Sequence, residues 1–148
     1  MYTREQSSVA RQEFWTVFGK YMSPVPSSEG LKINWVNYRT GVKDVYFRME
    51  TLPESASISV SIEHSDASTR ELFFAQFQEF RIMFQEALEE EWDWQSNVNV
   101  NGKQISRIIK ELPNTSVLSK DQWPDLISFF KPRIIALDSF WENAKYSF

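Results

Sequence analysis

Residues 44–63, DVYFRMETLPESASISVSIE, establish the class of fold because they contain two strand patterns in succession. In the second, Ser57–Glu63, polar residues alternate with isoleucine and valine, which gives the segment one apolar and one polar face. Asp44–Glu50 alternates in the same way. Because the connection between them is short, they predict an antiparallel pair whose apolar face packs on helices.

The segments before this pair extend the pattern toward the N-terminus. Thr3–Met22 has apolar side chains at three- and four-residue steps, which predicts a helix with one apolar face. The prolines and glycine of Ser23–Gly30 end that helix and predict a loop within a single domain. Ile33–Tyr38 is followed by a glycine-containing turn at residues 39–41, so we expect a further strand there and hence a three-stranded meander.

The C-terminal half first predicts a helix and a hairpin. Ser68 and Glu71 have the spacing of a capping box, which predicts the start of a helix that is expected to end near Glu90. Asn101 and Gly102 stand between two extended segments, and Asn-Gly in that position is a strong hairpin signal. The meander and the hairpin together predict an antiparallel sheet.

The last predicted element is a helix over about Lys120–Tyr146, in which Pro132 is expected to cause a kink or a split into two pieces. A chain of 148 residues is of ordinary size for one domain. The sequence therefore predicts a single α+β domain, residues 1–148, with an antiparallel meander and a hairpin packed against helices. The expected element order is α-β-β-β-α-β-β-α.

The composition excludes several classes of site and of location. The chain has no cysteine, which excludes thiolate metal sites and cysteine nucleophiles and fits a reducing, cytoplasmic compartment. The first residues lack the apolar segment of a signal peptide. No stretch reaches the roughly 18 apolar residues of a membrane span, so we expect no membrane association. The formal net charge of −4 weakens any general attraction to nucleic-acid phosphates.

The predicted order of a helix, three strands, a helix and a further strand is that of the PD-(D/E)XK nuclease core. In that core, carboxylates on the second and third strands hold Mg²⁺, and a lysine helps to activate water. The corresponding carboxylates in this chain are Asp44 and Glu63, with Glu13 as a third candidate, but the lysine position is Ser65. Our alternative hypothesis is therefore a divergent nuclease-like domain, active or inactive, with Mg²⁺ or Mn²⁺ at these carboxylates.

The leading hypothesis is a non-enzymatic binding or assembly module. The sequence contains no Gly-rich phosphate loop, no H-E-x-x-H and no G-x-S-x-G motif. Aromatic residues make up 16% of the chain, which is a large supply for one core, and such residues are enriched at protein interfaces. We therefore expect a protein partner or self-association as a homodimer. The candidate binding residues are Trp92, Trp94, Trp123 and Phe148.

Nucleic-acid binding without cleavage is a third hypothesis. It depends on cations of the predicted hairpin and of the last helix meeting on one surface, because scattered cations do not form a phosphate-binding stripe. These cations are Lys103, Arg107, Lys110, Lys131 and Arg133.

Six stretches along the chain together carry a family resemblance. They are Arg11–Trp15, Lys32–Tyr38, Glu71–Phe74, Glu91–Trp94, Ser106–Ile108 and Phe129–Asp138. Through them the sequence resembles, over nearly its full length, a bacterial family known only as domain of unknown function 4268. The resemblance implies a small stand-alone protein, or a domain C-terminal to a nuclease-like region, and work related to nucleic acid or to defence. It supplies no catalytic residues that could be carried over.

Overall fold

The computed structural model describes residues 3–148, which form four α-helices and four β-strands. The helices are α1 (Arg4–Met22), α2 (Ala67–Glu79), α3 (Arg81–Leu88) and α4 (Trp123–Ala144). The strands are β1 (Val45–Thr51), β2 (Ser55–Ile62), β3 (Asp93–Val100) and β4 (Lys103–Pro113). Two short 3₁₀ turns, Lys120–Gln122 and Lys145–Ser147, flank α4.

The four strands form one antiparallel sheet in the order β1-β2-β4-β3. β1 and β2 pair without interruption, with Phe47 opposite Val60. β3 and β4 form the predicted hairpin, in which Asn101 and Gly102 take positive φ angles of 51° and 82°. These angles are those of a tight two-residue hairpin turn. The predicted α+β class, with an antiparallel sheet and a hairpin packed against helices, is confirmed.

The core lies between the helices and one face of the sheet. Ile58, Val60 and Ile62 of β2 are fully buried in it. α1 and α4 meet through aromatic rings, and the centroids of Phe14 and Phe130 lie 6.2 Å apart. The other face, which we call the polar face, follows from the alternation of each strand. Its residues include Arg48, Ser59, Ser61, Glu63 and Arg107.

The strand expected at Ile33–Tyr38 is wrong, because this segment is irregular and lies outside the sheet. Side chains of the segment form hydrogen bonds with its own backbone amides, which in a strand would pair with a neighbouring strand. The Asn34 side chain accepts hydrogen bonds from the backbone amides of Val36 and Asn37, each at 3.1 Å. Such local side-chain bonds compete with strand formation, so an apolar residue such as Trp35 is buried here without strand pairing.

The second predicted helix differs in its start and in its continuity. Asp66 caps α2 by accepting a hydrogen bond from the amide of Thr69 at 2.9 Å, so the capping box predicted at Ser68 is not formed. The helical course breaks at Phe80, which separates α2 from α3. The apolar positions keep a helical spacing through this break, which is why the sequence predicted one helix.

Pro132 does not split α4, which is one helix over Trp123–Ala144. Buried residues lie on both sides of the proline, including Phe130 before it and Ile134 after it. Packing of both halves against the same core therefore stabilises the continuous helix against the local cost of proline. No helix within residues 3–148 is long and apolar enough to cross a bilayer.

Candidate functional site

The two carboxylates proposed for a nuclease site lie opposite each other at one end of the β1–β2 pair. The amide of Glu63 donates to the carbonyl oxygen of Asp44 at 2.8 Å. The Glu63 carboxylate, however, is occupied by protein donors. It accepts hydrogen bonds from the Arg48 guanidinium, from Lys103 Nζ at 3.1 Å and from the Ser61 hydroxyl at 2.7 Å.

These donors determine the protonation of Glu63. Burial on its own would raise the pKa of this carboxyl, but the hydrogen bonds from Arg48, Ser61 and Lys103 outweigh it and lower the pKa from 4.5 to about 2. Glu13, the third candidate, is exposed on α1 and forms an ion pair with Lys120 at 3.5 Å. Within residues 3–148, no group of three or more His, Asp or Glu side chains is placed to hold a metal ion. The structure therefore gives the nuclease hypothesis no support.

The four aromatic residues proposed for an interface pack mainly inward. Trp92 is 5% exposed, and its indole N–H donates to Glu90 at 2.8 Å. Trp94 and Trp123 are half-buried against the core, and Trp123 donates to the carbonyl oxygen of Val117 at 2.7 Å. Phe148 lies 4.4 Å, centroid to centroid, from the core residue Phe77. The aromatic supply is thus used largely in the core.

The cations proposed for nucleic-acid binding are divided between surfaces. Lys103 and Arg107 lie on the polar face of the sheet, whereas Lys110 alternates to the other side of β4. Arg133 of α4 forms an ion pair with Glu90 at 2.8 Å, and Lys131 lies over the ring of Tyr21. The five cations therefore do not form one phosphate-binding stripe.

A partly enclosed cavity lies elsewhere, between the irregular residues 23–44 and the C-terminal half of α4. It has a volume of about 390 Å³ and is lined by residues within 27–40 on one side and by Asp138, Trp141 and Lys145 on the other. We call this cavity the loop pocket. Its volume is within the range of roughly 300–1,000 Å³ that is usual for small-molecule sites.

Two tryptophans fix the irregular segment around the loop pocket. The indole N–H of Trp35 donates to the carbonyl oxygen of Val25 at 2.9 Å, which closes the N-terminal part of the segment on itself. The indole N–H of Trp141 on α4 donates to the carbonyl oxygen of Thr40 at 2.8 Å. Both rings are 2% exposed, so these bonds are shielded from water, and they attach the segment to itself and to α4.

A buried carboxylate forms the polar centre of the loop pocket. Asp138 on α4 is 6% exposed and accepts hydrogen bonds from the backbone amide of Ser28 at 2.7 Å and from the Tyr38 hydroxyl at 2.5 Å. Burial, followed by the hydrogen bond to Asp138, raises the pKa of Tyr38 far above its ordinary value of 10. The phenol therefore remains a protonated donor at neutral pH and is unsuited to proton transfer.

The rim of the loop pocket combines apolar and charged groups. Leu31 is exposed and Ile33 is half-buried, so the loop side presents aliphatic surface beside Trp141. Lys145 forms an ion pair with Glu29 at 2.6 Å. Arg39 is exposed on the same rim, and within residues 3–148 it has no ion-pair partner. The rim therefore combines aliphatic surface with an unpaired guanidinium, and the buried wall carries the Asp138 carboxylate.

Sequence reasoning missed the central contact of this pocket. Tyr38 and Asp138 are separated by 100 positions, and neither residue belongs to a recognised catalytic or binding motif. One signal was present: an aspartate within the apolar run of the last helix, at a position that the helix buries. A buried carboxylate requires donors, but the sequence does not identify them.

Comparisons with known proteins connect the chain to one family. No curated protein and no solved structure matches the chain significantly. The family model described as domain of unknown function DUF4268 matches residues 10–145. That range is nearly the whole chain, and it includes every residue that lines the loop pocket. The chain therefore belongs to the DUF4268 family.

Proposed function

We propose that this domain is a non-enzymatic binding module that takes a small, partly apolar carboxylate in the loop pocket. The observation that carries the proposal is the irregular segment, residues 23–44, held around a cavity of about 390 Å³ by shielded hydrogen bonds. Irregular segments of this length inside a compact domain are uncommon and are usually functional. A fixed cavity also reduces the ordering cost of binding.

Binding is favoured over catalysis by the chemistry of the lining. The pocket contains no cysteine or histidine, and the buried hydroxyl of Tyr38 is committed to Asp138. The Tyr38 hydroxyl and the Asp138 carboxylate thus stabilise the wall of the pocket and do not activate a reactant. Such a site discriminates between ligands by shape and charge.

The charges on the rim define the ligand class. Two neutral donors satisfy the oxygens of Asp138 without neutralising its charge, and Lys145 is paired with Glu29, so within residues 3–148 Arg39 is the unpaired cation among the residues that line the pocket. Arg39 is free to form a bidentate pair with a carboxylate, which is the geometry that a guanidinium favours. The aliphatic rim and Trp141 would contact the apolar part of the ligand.

A calorimetric titration tests this proposal. The probes are benzoate, phenylacetate and indole-3-acetate, each compared with its neutral amide. We expect at least one carboxylate to bind more tightly than its amide and Arg39→Ala to weaken that binding by about tenfold, the effect of losing one charge-assisted pair. Lys32→Ala is the matched control, because Lys32 is an exposed cation of the same segment that does not line the pocket.

Equal loss of affinity in Arg39→Ala and Lys32→Ala would show that the probe responds only to overall charge, and the proposal would be wrong. Absence of binding by all three carboxylates would also reject the ligand class. The melting temperature of each variant, measured without probe, distinguishes lost binding from lost folding.

Several expectations about context remain part of the proposal. The absence of cysteine supports a cytoplasmic setting, and the family resemblance supports a bacterial one. A protein partner or homodimer remains our expectation. The rings of Trp92, Trp94, Trp123 and Phe148 no longer support it, because they pack against the core. The metal-dependent nuclease gains no support, since Glu63 is paired with two cations.

A further inference from the structure

β1 is an edge strand with open backbone groups. The bonds from Glu63 N to Asp44 O and from Leu52 N to Ser55 O show that even-numbered residues of β1 bond to β2. The N–H and C=O groups of the odd-numbered residues therefore point away from the sheet. Those of Phe47, Met49 and Thr51 have no hydrogen-bond partner within residues 3–148.

The opposite edge of the sheet carries a bulge, whereas β1 is regular and is bordered by residues 36–38 without being hydrogen-bonded to them. β3 is interrupted by a bulge between Gln95 and Val98, and Asn97 within it has a positive φ of 51°. Bulges of this kind prevent an edge from pairing with another chain. β1 pairs with β2 over Val45–Thr51 without a register shift, and it contains neither proline nor lysine.

We infer that β1 pairs antiparallel with β1 of a second copy of this chain, with Met49 on the two-fold axis, to form an eight-stranded sheet. In this register Met49 lies opposite its own copy, and Phe47 lies opposite Thr51. Each of these pairs joins residues whose free backbone groups point outward. The register therefore satisfies all of the open groups by strand addition.

The side chains on the polar face fit the same register. Arg48, whose guanidinium also pairs with Glu63 of its own copy, lies opposite Glu50 of the other copy, which places two pairs of opposite charge across the axis. Tyr46, which is 38% exposed, lies opposite Leu52, which is 54% exposed, so each covers an apolar surface that is open in one copy. These cross-strand pairs are the ones that stabilise antiparallel sheets.

Neighbouring registers lack this complementarity. Because side chains alternate between faces, the register can shift only in steps that keep the faces matched. The nearest shift in one direction places Arg48 opposite its own copy, and the nearest shift in the other direction does so for Glu50. Both put like charges directly opposite each other, which is destabilising. A second copy of this chain is therefore the partner that is favoured by the open edge, by the charges and by the exposed apolar residues.

Cysteine crosslinking tests the interface, because the chain has no cysteine of its own. Residues that exchange backbone hydrogen bonds have Cα atoms about 5.5 Å apart, within the range for a disulfide. Met49→Cys should therefore form a covalent dimer under mild oxidation. Glu50→Cys is the matched control, since position 50 faces position 48 of the other copy and the two introduced thiols would lie too far apart.

Sedimentation of the native chain over a concentration series supplies the second measurement. We expect a dimer whose dissociation constant rises by at least about tenfold in Glu50→Arg, which places arginine opposite Arg48 twice. Glu111→Arg makes the same charge change on an exposed residue of β4 and should leave the constant unchanged. A native chain that stays monomeric at high concentration, or equal crosslinking of the two cysteine variants, would overturn the inference.

Discussion

Glu63 and Asp138 are two buried carboxylates that the protein stabilises in different ways. Glu63 lies against two cations, Arg48 and Lys103, on the polar face of the sheet. Asp138 has only neutral donors, the phenol of Tyr38 and the backbone amide of Ser28. The first arrangement ties β1 to β2 and β4 by charge, and the second fixes the irregular segment to α4. In both arrangements the carboxylate has a structural role.

The lowered pKa of Glu63 predicts a specific dependence of stability on pH. The pKa of about 2 in the folded protein lies below the ordinary value of 4.5, so the ionised carboxylate stabilises the fold above about pH 4.5. This contribution is lost as the pH falls toward 2. We expect Glu63→Gln to lower the free energy of unfolding at pH 7 by about 1–2 kcal/mol, a value reduced for the solvent exposure of Arg48 and Lys103.

Urea unfolding at a series of pH values between 2 and 7 measures this effect. The difference between the native protein and Glu63→Gln should shrink as the pH falls through the range from 4.5 to 2. Glu13→Gln is the control, because its exposed ion pair with Lys120 should contribute little at any pH. A difference that stays constant across the series would contradict the assigned role of the Glu63 charge.

The elements show how tertiary packing overrides local signals. The hairpin at Asn101-Gly102 and the alternating strands β1 and β2 followed from local sequence, because turn chemistry and side-chain period determine them directly. Ile33–Tyr38 did not, since its aromatic rings pack without strand pairing: Trp35 is buried, and Tyr38 contacts Phe47 of β1 and Asp138 of α4. Continuity through Pro132 likewise depends on burial along both halves of α4.

Pro132 provides a test of this competition. It is exposed in the interior of α4, and its missing N–H leaves the carbonyl of Ser128 without its usual helical donor. Pro132→Ala should therefore raise the free energy of unfolding by about 1–2 kcal/mol, since the gain within the helix exceeds the loss of rigidity in the unfolded chain. Urea denaturation measures it.

Ser139→Ala, at an exposed position of the same helix, is the comparison variant for helix propensity alone. Its effect should be only a few tenths of a kcal/mol. A destabilised Pro132→Ala variant would mean that the proline itself contributes to packing, and that burial of the two halves is not what keeps α4 continuous.

At the scale of the whole molecule, the sheet and helices form a scaffold that carries one long irregular segment. The sequence predicted the scaffold because its periodicities are local, whereas the loop pocket arises from Tyr38 meeting Asp138 across 100 positions. Likewise, the pairing of Glu63 with Lys103 of the hairpin depends on the sheet order and could not be predicted from either strand alone. Side-chain contacts between distant parts of the sequence, such as these two, could therefore not be predicted from the sequence.

The proposal that the loop pocket is the binding site is tested most directly by backbone amide chemical shifts during titration with the best-binding carboxylate of the panel. We expect the shifts to change mainly within residues 27–40 and around Asp138, Trp141 and Lys145, the two walls of the pocket. Saturable changes confined to those walls would support the binding module as described. Changes centred on the polar face of the sheet, or no saturable change at all, would contradict it.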